Sequence, residues 1–325
     1  MKEKRLFKFG ILALSIVLIA CTGGSAEAGC PEIDGREINV VATTPMIGEF
    51  VSQVGGDNIN LTVLMPAEAD PHTYDPAPQD AGTIADADLV FYTGLKYEPA
   101  ALIKLLENSA CSAEVLAEVG ESVFPIEFKE GGHDDHDEEG HDDHAGHDHG
   151  AYDPHFWFDP NRVAYAAEYI ESKLVEFDPS NASEYEAAGK AYVTELKGLV
   201  GQVSELISTI PSQNRKLITT HESLGYLEAK FGLEVLSTII PSLDSANEIS
   251  PSQLVGVIDV IEDNNVKVIF IEAEAPSVYA ETIVAETGIK AVEGLWVETL
   301  KEGQSYSEFL FDAVELIVEN LRNTD

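Results

Sequence analysis

Positive charge is what this 325-residue chain most lacks: 19 Lys and Arg stand against 58 Asp and Glu, a formal net charge of -39 at pH 7. Such an excess repels nucleic acid and anionic lipid headgroups, which excludes DNA or RNA binding as a function class. Two readings of the acidity remain, a solvated surface suited to high salt or a field that concentrates cations, and its spread along the whole chain favours the first. Cysteine is scarce, with three residues. Long apolar runs are scarcer still: ILALSIVLIA at residues 11–20 has ten residues, short of the ~20 needed to span a bilayer, which favours a cleaved export signal over a membrane-spanning helix.

The N-terminus has the parts of an export signal: basic MKEKRLFKFG, the apolar run, then Ala20 before Cys21. Residues 1–20 read as a signal peptide. The stretch resembles a lipoprotein signal, whose cysteine becomes the acylated first residue of the mature protein, so Cys21 is the expected lipid anchor. Residues 21–36, with TGGSAEAG, then form a flexible tether. Cys30 and Cys111 remain, and an exported location permits a disulfide between them.

A chain of this length exceeds what one hydrophobic core usually serves, and an apolar content of 44% supports two cores. INVVATT, INLTVLMP and DLVFYTG, between Glu37 and Gly94, are β-branched runs separated by segments of helical spacing, with SVFPIEF a fourth candidate strand. RKLITTH, LEVLSTI, VKVIFIEA and IKAVEGL repeat the pattern after residue 214. Alternation of strand and helix predicts an α/β fold of two Rossmann-like lobes, each a parallel sheet flanked by helices. Between them Tyr185, Ala188, Tyr192, Leu196, Leu199, Val203, Leu206 and Ile210 make one apolar stripe, which predicts a single long, stiff backbone helix joining the lobes. The expected organisation is an N-terminal lobe over 37–178, a linking helix over 179–211 and a C-terminal lobe over 212–325. Ligands of open α/β sheets bind outside the carboxyl ends of the strands, so two facing lobes hold a ligand between them.

Seven of the nine histidines fall within HDDHDEEGHDDHAGHDHGAYDPHFW, residues 133–157. His133, His136, His141, His144, His147 and His149 alternate with acids and glycine and have almost nothing apolar beside them, so 130–150 is expected to be a mobile loop with weak metal affinity. The other three histidines follow or close predicted elements: His72 in ADPHTYDPAPQD, His155 in YDPHFWFDP, and His221 ending KLITTH. Asp70 and Asp153 each precede a histidine by two residues, with a proline between, and either can orient an imidazole. Three neutral imidazoles and one carboxylate complete a tetrahedral zinc site.

DPHTYDPAPQD, DPHFWFDP, THESLGYLEAKFGL and LWVETL, in that order and spacing, resemble the motifs of the zinc- and manganese-binding solute receptors of ABC transporters, over nearly all of residues 36–322. The resemblance implies two α/β lobes joined by one backbone helix, with the metal between them. It implies His72 and His155 as ligands from the first lobe, and His221 and Glu298 from the second. The family typically has Asp in the fourth motif; this chain has Glu298, one methylene longer. Glu222 and Glu272 are weaker candidates for the carboxylate. Family members that carry manganese often have glutamate at the position of His221, and imidazole suits zinc better, so Zn2+ is the expected transported ligand, ahead of Mn2+. Zinc-type members also carry a His-rich loop before the second motif. The resemblance further implies an extracytoplasmic, lipid-anchored receptor, expected to be a monomer, that serves an ABC permease and its cytoplasmic ATPase; some relatives were first described as adhesins. The rival class is a zinc hydrolase, in which three histidines and an open fourth position activate water. The chain has no HExxH, and four protein ligands leave no vacant position, so no enzymatic activity is expected.

Overall fold

The computed structural model describes residues 30, 33, 35–128, 152–243, 248–274 and 278–322. The signal peptide, Cys21 and the six histidines from His133 to His149 lie outside the described residues.

The first half runs β1 (Ile38–Ala42), α1 (Pro45–Gly55), β2 (Ile59–Val63), α2 (Pro78–Ala85), β3 (Leu89–Tyr92), α3 (Ala100–Ser109), β4 (Leu116–Glu118) and α4 (Pro160–Phe177). Then comes α5 (Ala182–Ser208). The second half runs β5 (Lys216–Thr219), α6 (Gly225–Phe231), β6 (Glu234–Thr238), α7 (Pro251–Asn264), β7 (Val268–Glu272), α8 (Ala280–Thr287), β8 (Lys290–Leu295) and α9 (Tyr306–Leu321). Each half holds one four-stranded sheet, in the orders β2-β1-β3-β4 and β6-β5-β7-β8. Every pairing within them is parallel. The second sheet thus repeats the order of the first, and the expected architecture of two parallel sheets flanked by helices with a long central helix is the one observed.

Strand side chains alternate between faces, and this divides the apolar residues among three cores. On the first sheet Val40, Ala42, Leu89 and Phe91 face a core shared by both halves, while Val41 and Val90 face α2 and α3 with Ile84, Leu102 and Leu106. On the second sheet Leu217, Val268 and Phe270 join the same shared core. Ile218, Ile269 and Ile271 face α7 and α8 through Val257, Ile261 and Ile283. The shared core takes in Leu174 of α4, Tyr185, Leu196 and Val203 of α5, and Phe309 and Ile317 of α9.

Helix starts follow their capping chemistry. Thr44 Oγ1 accepts the Ile47 amide at 3.2 Å ahead of Pro45 in α1, and Ser250 and Ser305 form capping boxes with Gln253 and Glu308 at α7 and α9. The stripe predicted on the central helix is buried with two changes: Gly189 and Ile207 are buried where Ala188 and Leu206 are half-buried, and a Cβ on Gly189 would lie 2.1 Å from Glu171 Oε2 of α4.

SVFPIEF does not supply the fourth strand. That strand is Leu116–Glu118, and Gly120–Val123 forms a short 3-10 turn. Phe124 stands at φ 53 with 67% of its surface exposed, and Pro125 has no N–H for a ladder. Among the described residues of that segment, Glu127 makes one antiparallel bridge to Tyr152. Cys30 and Cys111 are joined in a disulfide that closes 81 residues of the first half.

Candidate metal centre

Each candidate ligand is carried just past the carboxyl end of a strand or just ahead of a helix. His72 lies in a 3-10 turn, Pro71–Thr73, on the connection from β2 to α2, and Asp70 caps that turn by accepting the His72 amide at 3.0 Å. His155 precedes the 3-10 turn Phe156–Phe158 that leads into α4. His221 follows β5 after Thr219 and Thr220, and Glu298 lies on the segment between β8 and α9.

These four side chains converge. Their ligand atoms all lie within 4.8 Å of one another. Glu298 Oε1 is 3.4 Å from His72 Nε2, 3.3 Å from His155 Nε2 and 2.7 Å from His221 Nε2. His155, His221 and Glu298 are fully buried, and the His72 side chain is 5% exposed. A cavity of about 660 Å³ reaches His72 between Leu95–Ala100 of the first half and Ser242–Leu243 of the second.

Carboxylates stand behind two of the rings. Asp153 Oδ1 lies 2.8 Å from His155 Nδ1 and also accepts the His155 amide at 2.8 Å. Glu272 Oε2 lies 2.5 Å from His221 Nδ1, while its Oε1 accepts the His221 amide and the Ser223 hydroxyl. An acceptor at Nδ1 holds a proton there, so that the neutral ring presents its Nε2 lone pair to the centre. Gly225 makes room for this arrangement, since a Cβ on it would meet Asp153 Oδ2 at 2.5 Å.

Glu298 is itself held twice. Backbone amides of Val297, Glu298 and Thr299 donate to Glu274 Oε1 at 3.0, 3.0 and 3.3 Å, and the Tyr97 hydroxyl donates to Glu298 Oε2 at 2.9 Å. Burial pushes the Glu274 carboxyl up to about 7 despite the amide it accepts from Glu298. Burial also disfavours the charged Glu298, but His155, His72 and His221 together hold its carboxyl well below the usual range. For His155, burial works against the proton, and Glu298 and Asp153 outweigh it to raise the imidazole to about 9. His221 is raised in the same way by Glu272 and Glu298.

The residue set fits a small divalent cation. His72 Nε2 is buried without a hydrogen-bond partner, a costly state unless another group accepts its lone pair. Zinc–ligand distances of about 2.0–2.2 Å set tetrahedron edges of roughly 3.3–3.6 Å, close to the separations of His72 and His155 from Glu298, 3.4 and 3.3 Å, while His221 at 2.7 Å stands at hydrogen-bond distance. Glu272 and Glu222 are not in the group of four: Glu272 backs His221, and Glu222 accepts from the Thr238 hydroxyl at 3.0 Å. Tyr97 and Glu274 were not singled out by the sequence. The one signal available for Tyr97 is its place in TGLKYEP, just past β3, at the same sheet end as His72.

The model of the family described as zinc-uptake complex component A, periplasmic, matches residues 40–323. The chain is 30% identical over 323 residues to the high-affinity zinc uptake system protein ZnuA of Bacillus subtilis (strain 168), covering 96% of each. It is 24% identical over 313 residues to the manganese-binding lipoprotein MntA of Halalkalibacterium halodurans, again over 96% of each. Among solved structures, the periplasmic zinc-binding protein TroA from Treponema pallidum aligns with a TM-score of 0.75 at 22% identity, over 88% of this chain and 99% of that one, which is a likeness of fold. Nearly the whole of both halves thus lies inside one family match, and the chain belongs to the ZnuA family of zinc-uptake complex component A proteins.

Proposed function

We propose that this chain is a zinc receptor that captures Zn2+ with His72, His155, His221 and Glu298. The family is a substrate-binding component of ABC transporters rather than an enzyme family, and the chain is an extracytoplasmic lipoprotein at the outer face of the membrane. The choice of zinc is supported by one observation above all: three imidazole Nε2 atoms and a single carboxylate oxygen converge in a buried site. Nitrogen-rich, four-coordinate sets suit zinc, whereas manganese prefers oxygen-rich octahedral ones.

In this reading residues 37–178 and 212–325 are the two lobes, 179–211 is the link between them, and Cys21 carries the lipid. Asp153 and Glu272 keep His155 and His221 in the tautomer that presents Nε2. Capture displaces protons from the imidazoles and joins the lobes through the ion. The ion is then handed to a permease driven by a cytoplasmic ATPase. His133, His136, His141, His144, His147 and His149 form a separate, weaker set of zinc sites.

The full chain in detergent, titrated with Zn2+ and Mn2+ against a competing chelator, tests this. One tight zinc per chain, lost in His221→Ala while weaker binding persists, is the expected result. Removing residues 133–149 should abolish the weak sites and leave the tight one. Manganese held more tightly than zinc, or a tight site that survives His221→Ala, would overturn the assignment.

A further inference from the structure

The two oxygens of Glu298 are in different situations. Oε1 faces the three Nε2 atoms at 3.4, 3.3 and 2.7 Å. Oε2 faces the Tyr97 hydroxyl at 2.9 Å. This contact joins the halves of the molecule across 201 residues of sequence, and Tyr97 is 1% exposed. Its hydroxyl also lies 3.0 Å from the Glu298 carbonyl. A hydroxyl has one proton to give, and an ionised carboxylate is the stronger acceptor of the two.

The chain goes to some length to place this tyrosine. Gly94, Leu95 and Lys96 all stand in the left-handed region, at φ 76, 54 and 66; two of the three are side-chain-bearing residues that rarely adopt it. Glu98 fixes the start of the turn by accepting the Thr93 and Gly94 amides at 2.6 and 2.9 Å, and Glu118 accepts the Leu95 amide at 3.0 Å. A Cβ on Gly94 would overlap Glu118 Oε1 at 2.0 Å. The Tyr97 ring then stacks edge-on against His72 and Trp157, with centroids 5.2 and 5.3 Å away. A phenylalanine would satisfy that packing equally, so packing alone does not account for the hydroxyl.

We propose that Tyr97 is a specificity-determining residue: by occupying Glu298 Oε2 it restricts the carboxylate to one-oxygen coordination and biases the centre toward a four-coordinate ion. The inference rests on the metal-site reading above and deepens it. Glutamate can bind a cation through one oxygen or two. With Oε2 engaged, the protein offers three nitrogens and one oxygen, a tetrahedral set. With Oε2 free, the same carboxylate supplies a fifth donor and moves the site toward the larger coordination numbers that manganese favours.

Tyr97→Phe removes the hydroxyl and keeps the ring. In the full chain, titration with Zn2+ and Mn2+ against a chelator should show the zinc-over-manganese preference falling about 10–100-fold, the usual scale for losing a partner that orients a metal ligand. Co2+ provides a readout of geometry: its visible absorption should be intense and tetrahedral in the parent, and weaker, with five-coordinate character, in Tyr97→Phe. An unchanged Co2+ spectrum together with an unchanged preference would overturn the proposal and leave Tyr97 as a packing residue. His221→Ala, run alongside, separates the two levels. If it loses the tight site while Tyr97→Phe changes neither the spectrum nor the preference, the Tyr97 role alone falls. If it keeps the tight site, the metal-site assignment falls and the Tyr97 role with it.

Discussion

The two halves share one strand order, yet they hold their histidines by different means. In the first half the support is local: Asp70 and Asp153 each lie two residues before the histidine whose amide they cap, and Asp153 also reaches the ring. In the second half it crosses the sheet. His221 follows β5, and its partner Glu272 is the last residue of neighbouring β7, 51 residues away. A local turn is specified by a few adjacent residues. A cross-strand pair exists only once the sheet has its correct register. The second half should therefore be the one whose metal affinity depends on tertiary order.

The largest test of that contrast removes a ligand from each side. His221→Ala and His155→Ala should both abolish the tight zinc site, read by equilibrium competition with a chelator. A smaller effect comes from the carboxylates behind them. Asp153→Asn and Glu272→Gln should each weaken zinc about 10–100-fold, and mild denaturant below the unfolding transition should weaken the Asp153→Asn variant, which relies on Glu272, more than the Glu272→Gln variant. Equal sensitivity would erase the distinction between local and cross-sheet support.

Protons give a third, more graded test. In the metal-free site His155 is raised to about 9, so at pH 7.5 it carries a proton that zinc must displace. Zinc affinity should rise with pH by up to about tenfold per unit for each proton displaced, until pH passes about 9, and calorimetry in buffers of different ionisation enthalpy should count the protons released. The sign reverses for the metal-free fold. A histidine raised from 6.5 to about 9 stabilises the folded chain fully below pH 6.5, and that contribution disappears as pH climbs through 9. The smallest effect on zinc is expected from opening the Cys30–Cys111 bridge. Its loss should cost about 2–4 kcal/mol of stability, measured by denaturant unfolding, and leave zinc affinity within about twofold.

What was legible in the sequence follows the same division. The two Asp-Pro-His turns can be read directly, because the capping aspartate, the proline and the histidine are adjacent. His221 is legible as the end of a buried strand. Glu298 is legible only by likeness to a family pattern, since no local feature separates it from the other acids in a chain that has 58. Glu272 appeared as a possible ligand, and it is the fold that turns it toward Nδ1 instead. Tyr97 has only its place just past β3 to mark it, since it acts 201 residues from its partner, and Glu274 acts through backbone amides that carry no sequence signature. The strands were legible wherever β-branched runs are long. Leu116–Glu118 has three residues, too few for a period-two pattern, and the longer apolar stretch after it carries the stronger strand signal.

One apolar core contains Ile38, Phe91 and Trp157 from one half and Leu217, Phe270 and Leu295 from the other. The halves are thus packed together by apolar side chains as well as by the cluster of ligands. Trp157 Nε1–H bonds to the Val297 carbonyl at 2.8 Å, and the Tyr226 hydroxyl to the Asp153 carbonyl at 2.8 Å, which fastens the segments around the ligands from both directions. In the receptor reading an ion would leave such a body as a stone leaves a ring setting, when a claw is bent and not when the band is split. On that reading the give belongs at the rim beside His72, where the cavity opens, and the interior can stay whole.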